Sequence, residues 1–289
     1  MAPIVLVHGI FNYLAGVEPQ VAAARHVARC RPRLVESLAR FPVDEPEVVM
    51  AYYADLLRRD TPAWSQSPGG GENFTSMTAG QRRDAAEWLV TAGYCGPGDP
   101  QGRPTEFLRT WLDQLVGARG GRLSRIAQEQ VVNRLERVIV ASLREADAYT
   151  AWPGRRELVQ ERVAGVIRRE APAVVIAHSL GSYITYETLH AHPDLEVELL
   201  VTVGSPLRVP SLARRLDPPL RAGRGARPLG LGRWVNIADV GDLVAVPPKL
   251  GEVFPVDADE TCDNGIDFHS LGAYLGNGLL AAAITPYIS

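Results

Sequence analysis

Residues 4–7, 173–177, 197–203 and 234–238 are short, nearly unbroken apolar runs rich in β-branched side chains. Such runs read as strands buried on both faces of a sheet. Residues 48–53 make a further strand candidate, and 252–256 a last one. Between these runs the apolar positions change to helical spacing. Over residues 19–40 they fall at Val21, Ala24, Val27, Ala28, Leu34, Val35 and Leu38, with Pro32 expected to kink or split the helix. Residues 155–170, 181–190 and 270–284 carry the same period. Strands alternating with helices predict an α/β fold, a mainly parallel central sheet covered by helices.

Residues 55–154 break the alternation. The stretch opens on turn formers (Thr61, Pro62, Ser65 to Gly71) and then reads as three helices over 79–91, 105–116 and 122–149. The third carries one stripe: Leu123, Ile126, Val131, Leu135, Val138, Ile139 and Leu143. A helical insertion within an alternating chain suggests a cap or lid over a core made of 1–54 and 155–289.

Charge narrows the partners. The formal net charge of −3 gives no general attraction to nucleic acid or anionic membrane, and the insertion balances twelve acids against twelve arginines. Cys30, Cys95 and Cys262 lie far apart, which fits free thiols in a reducing compartment. No run approaches the length of a membrane span and no signal-peptide pattern opens the chain, so a cytoplasmic location is expected.

The chemistry centres on Ala177-His178-Ser179-Leu180-Gly181, a turn between a buried strand and a helix, with small residues two before and two after the serine. This segment resembles the nucleophile elbow of α/β-hydrolases, and most closely that of bacterial lipases and esterases, with Ala177 in place of the first glycine of G-x-S-x-G. The resemblance covers about 1–54 and 155–289. It implies an α/β-hydrolase fold, Ser179 as nucleophile, and an acid and then a histidine later in the chain. His269 stands in the family's position for the base, between the last strand and the last helix. His190 and His192 close the helix after the elbow, and His178 projects the wrong way. For the acid, the match places Asp242 on the catalytic position; Asp239 is the alternative, read as a turn residue. The amide of Leu180 would be one oxyanion donor. His8-Gly9-Ile10-Phe11 resembles the family's H-G-x segment, which makes Ile10 the second, with Phe11 its nearest competitor.

The resemblance implies a serine hydrolase acting on a small-molecule carboxylic ester or thioester, with no cofactor, no metal and no nucleic-acid partner. An acyltransferase or thioesterase-like cyclase could use the same triad, and a non-catalytic binding scaffold is the remaining reading. Three features are read as structural. The acidic stretch Asp257, Asp259, Glu260, Asp263 and Asp267 is a solvated loop, because Cys262 stands where a calcium-binding loop needs glycine. The run Arg221, Arg224 and Arg227 is a mobile surface loop. Trp64, Trp88, Trp111 and Trp152 fill the insertion's own core.

Overall fold

A computed structural model of the chain describes residues 2–58, 73–94, 104–119 and 124–288. It holds one all-parallel sheet of six strands: β1 (Ile4–Val7), β2 (Val48–Ala51), β3 (Val174–His178), β4 (Val197–Val203), β5 (Leu231–Asp239) and β6 (Ala258–Cys262), in the order β2-β1-β3-β4-β5-β6. The helices are α1 (Pro19–Leu38), α2 (Ala79–Thr91), α3 (Pro104–Arg119), α4 (Arg125–Ala151), α5 (Arg155–Glu170), α6 (Leu180–Ala191), α7 (Pro210–Ala213), α8 (Leu271–Leu275) and α9 (Gly278–Ile284). None of the described helices is long and apolar enough to cross a membrane.

The strands are apolar throughout because both faces are covered. Ile4, Leu6, Val174, Ile176, Val201 and Ile237 share one apolar cluster with residues of α1, α8 and α9. Val5, Val7, Val175, Ala177 and Leu200 join a second cluster on the opposite face. That second cluster runs without a break into Trp88 of α2, Leu112 of α3, and Leu135 and Ile139 of α4. Helices α2, α3 and α4 thus bury apolar residues on the sheet side of the molecule as well as on one another; of the expected stripe Ile126 is exposed, and Leu123 lies outside the described residues. Trp111 stacks on Tyr94 at 4.2 Å. Trp64 lies outside the described residues.

Strand order places the site. The chain leaves β1 to form β2 on one side and returns to form β3 on the other, so the connections after β1 and β3 diverge. In open parallel sheets, the crevice at such a reversal, beyond the carboxyl ends of the strands, is where ligands bind. Val7, at the end of β1, pairs in register with Ala177. His8 to Ile10 and Ser179 therefore emerge side by side.

Several elements differ from expectation. Helix α1 is not split at Pro32, although the ring removes one backbone donor. Ala22, His26, Cys30, Leu34 and Leu38 are buried along it, and packing outweighs the lost bond. Residues 252–256 are not a strand, because the amides of Val253 and Phe254 both donate back to the Leu250 carbonyl, at 2.9 and 2.8 Å. The last strand is instead β6, within the stretch read as an acidic loop. As an edge strand it tolerates charge, and Asp259 accepts hydrogen bonds from Asn236 and from the amide of Gly251. The last helix is broken at Gly276-Asn277, where Asn277 caps α9 by accepting from the Leu279 amide. Arg227 is fastened rather than free: it donates to the Pro255 and Gly232 carbonyls and to Asp257.

A buried acid ties three helices together. Glu187 of α6 accepts from Tyr149 of α4 at 2.7 Å and from the Asp217 amide at 2.8 Å, and lies 3.3 Å from Arg156 of α5. Burial pushes its carboxyl up from 4.5 to about 7, against the Tyr149 hydrogen bond and the Arg156 charge. Between these values the folded protein holds a proton that the unfolded chain has released, so this group's contribution to stability falls as pH rises through that window. The expected loss is about 1.4 kcal/mol per pH unit while the window lasts. Urea midpoints followed from pH 4.5 to 7 should decline in the wild type and decline less in Glu187→Gln.

Candidate active site

The turn after β3 is strained. Ser179 has φ 52° and ψ −129°, a left-handed conformation that a side-chain-bearing residue adopts only when its surroundings impose it. Here they do: the Ser179 amide donates to the Val203 carbonyl at 3.0 Å, and α6 begins at the next residue. The two small flanking residues have different grounds. Ala177 is a fully buried strand residue between Val7 and Thr202. A methyl at Gly181 would fall on the carbonyl oxygens of Val7 and His8, so no larger residue fits there without moving backbone.

The three residues singled out in the sequence form one chain of hydrogen bonds. Ser179 Oγ lies 3.0 Å from His269 Nε2, and His269 Nδ1 lies 2.8 Å from Asp242 Oδ2. With Nδ1–H donating to the carboxylate, Nε2 is left as the acceptor for the serine proton. All three are buried, Ser179 with 1% of its surface exposed. Asp242 is held at both oxygens. Oδ1 accepts from the Val244 amide at 2.8 Å, and Oδ2 also accepts from the Tyr274 hydroxyl at 2.9 Å. Tyr274 in turn accepts from the Asp239 amide at 2.9 Å, and burial, then the Asp242 charge, keep its phenol protonated as a donor. Asp239 itself does not reach the histidine. Its carboxylate closes a turn, accepting from the amides of Gly241 and Asn264.

The other histidines fall elsewhere. His178 donates from Nε2 to the His269 carbonyl at 3.1 Å, with its ring 4.8 Å from that of His269. Burial, then the charge of His269, hold it well below the usual value, so it stays neutral and braces the loop. His190 packs edge-on against Tyr186, and His192 meets Arg168 and Glu161 at the far end of α6. His8 accepts from the Tyr53 amide at 3.1 Å and donates to the Gly9 carbonyl at 2.8 Å, its pKa lowered to about 3 by burial.

The β1–α1 loop lies against the serine so closely that a side chain at Gly9 would strike Ser179 Cβ. Asn12 pins this loop by donating to the Gly9 and Ile10 carbonyls at 3.0 and 2.7 Å. Phe11 has φ 63°, and its amide donates to Glu145 Oε1 of α4 at 3.3 Å. The Phe11 amide is thus already engaged by a carboxylate of α4.

Sequence reasoning missed Tyr274, Glu145 and the contact of Trp88. The Trp88 indole donates to the carbonyl of Leu243, the residue after Asp242, at 2.7 Å. No spacing rule points from residue 88 to residue 243; only the fold brings them together. No family model, curated protein or solved structure matches the chain.

Replacing Tyr274 by Phe removes a donor from Asp242 and leaves the buried Asp239 amide without its acceptor. A loss of about 1–3 kcal/mol is expected in denaturant titrations. Gly181→Ala should cost more, because backbone must shift, and a markedly lowered thermal midpoint is the expected result.

Proposed function

We propose that this protein is a serine hydrolase of the α/β-hydrolase type that cleaves carboxylic esters through a covalent acyl-Ser179 intermediate. The observation that carries the reading is the unbroken sequence of contacts from Ser179 Oγ through the His269 ring to Asp242, at 3.0 and 2.8 Å. An alcohol is a weak nucleophile; a neutral imidazole at this distance can take its proton as it attacks. Asp242 fixes the tautomer and stabilises the imidazolium that forms.

In the proposed cycle, Ser179 Oγ bonds to the ester carbonyl carbon as its proton passes to His269 Nε2. The carbonyl oxygen gains negative charge, met by the amides of Leu180 and Ile10. The carbon–oxygen bond to the alcohol half then breaks, and the departing oxygen takes the proton from His269. Water then attacks the acyl carbon as it gives a proton to His269; the bond from that carbon to Ser179 Oγ breaks, Oγ takes the proton back from His269, and a carboxylic acid leaves. The strained turn and the N-terminal end of α6 support this role, since they present the serine and orient backbone donors toward developing charge.

The helices α2–α4 are proposed as the cap. Trp88 and Glu145 support that role, the first through the Leu243 carbonyl and the second through the Phe11 amide, because they join this region to both loops of the site.

Ser179→Ala is expected to lower turnover of an activated ester by roughly four to six powers of ten and to abolish labelling by a fluorophosphonate. His269→Gln should act on turnover to a similar degree. Near-normal hydrolysis by the Ser179→Ala protein would sink the proposal.

A further inference from the structure

A cavity of about 500 Å³ opens beside His269, which lines it together with Ser270, Ile10 and Phe11. Its far walls come from α1 and α4, and they bring in three arginines: Arg29 from α1, and Arg134 and Arg137 from α4. The two on α4 are three residues apart, so they project from the same side of the helix. Arg29 and the buried His26, both of α1, line the same cavity. No aspartate or glutamate is among the described residues that line the cavity. Arg134 meets Asp267 at 3.2 Å outside the lining, and its guanidinium lies over the Phe268 ring, which fixes its position beside the loop of His269.

The positive field reaches into the cavity. Burial, and then the charge of Arg29, hold His26 below its usual pKa, against the hydrogen bond between its ring and the Asn12 carbonyl. Three arginines gathered on one concavity bring together the groups that pair with carboxylate and phosphate oxygens through two parallel hydrogen bonds.

The position of the cavity assigns it to one half of the substrate. The leaving oxygen must take its proton from His269 Nε2, so the alcohol or thiol half of an ester lies on the histidine side of Ser179. The cavity adjoins His269, and its lining also includes Ile10 and Phe11 of the loop that lies against Ser179. We infer that the cavity binds the leaving half of the substrate, and that this half carries an anionic group, a carboxylate or phosphate, held by Arg29, Arg134 and Arg137. This rests on the hydrolase reading above for the direction of the leaving group.

The test uses aryl acetates that differ only in the leaving half: 4-acetoxybenzoate, 4-acetoxyphenyl phosphate and the neutral methyl 4-acetoxybenzoate, with mono-4-nitrophenyl glutarate as an ester whose charge lies on the acyl half. The expected result is a kcat/KM about tenfold higher for at least one of the two anionic leaving groups than for the neutral ester, the size of one charge-assisted contact. The larger preference tells whether carboxylate or phosphate is the ligand. That ratio should shrink toward one in Arg29→Gln and in Arg137→Gln, through KM rather than kcat, and should shrink on adding salt. Equal rates for all three acetates overturn the inference while leaving the hydrolase reading intact. So does a preference confined to the glutarate ester. An inactive wild-type protein without fluorophosphonate labelling would instead overturn the hydrolase reading. Binding then decides the cavity separately: 4-hydroxybenzoate should raise the thermal midpoint of the Ser179→Ala protein more than methyl 4-hydroxybenzoate, and less so with Arg29→Gln added. Equal shifts from the two overturn the anion site.

Discussion

A residue with a side chain sits at φ 52° between β3 and α6, and the surroundings of Ser179 are arranged so that it can sit nowhere else. The conformation costs on the order of 1–3 kcal/mol, which neighbouring structure must offset. β3 is anchored on both sides, by β1 and by β4, and α6 leaves so close to β1 that only glycine fits at residue 181. Every other group of the site takes its place from this turn. The β1–α1 loop is set by its approach to Ser179 Cβ, and the histidine loop by the hydrogen bond from His178, the residue before the turn.

The acid side of the site is crowded in the same way. Gly204, at φ 58°, lies at the end of β4, where a methyl group would come within 3.0 Å of both Asp242 Oδ2 and the Tyr274 ring. Asp242, His269 and Tyr274 thus close around a backbone with no side chain. Tyr274 spans both aspartates, taking a proton contact from the Asp239 amide and giving one to the Asp242 carboxylate. Two acids three residues apart therefore have distinct surroundings: one faces the histidine, and the other holds a turn and the start of the segment at Asn264.

How much of this was legible in the sequence follows from the kind of force involved. Strands β1, β3 and β4 could be read because burial on both faces demands apolar runs, and α1 and α5 because their apolar positions have helical period. The serine turn was legible as a strand-to-helix junction with small neighbours, and Asp242 and His269 as residues in the matching chain order. β6 was not legible: an edge strand bears polar residues, and Ala258 to Cys262 has the composition of a loop. Pro32 misled because local propensity yields to packing along α1. Tyr274, Glu145 and Trp88 depend on contacts across 32 to 155 positions of chain, which periodicity does not encode. The arginines of the cavity were unremarkable in a chain where all but one of the 30 basic residues are arginine; only their convergence on one concavity gives them meaning.

The indole of Trp88 bears on how such a protein could change over time. The hydrogen bond from α2 to the Leu243 carbonyl ends one residue from Asp242, so this stretch of the chain carries a strut of the candidate site. Exchanging residues 55–154 wholesale for another insertion would withdraw that strut along with the old surface. Change in this stretch is therefore easiest where it leaves the anchor standing, by substitution on the exposed and cavity-facing side of α4. Under that constraint, selectivity would drift in small steps about a fixed post.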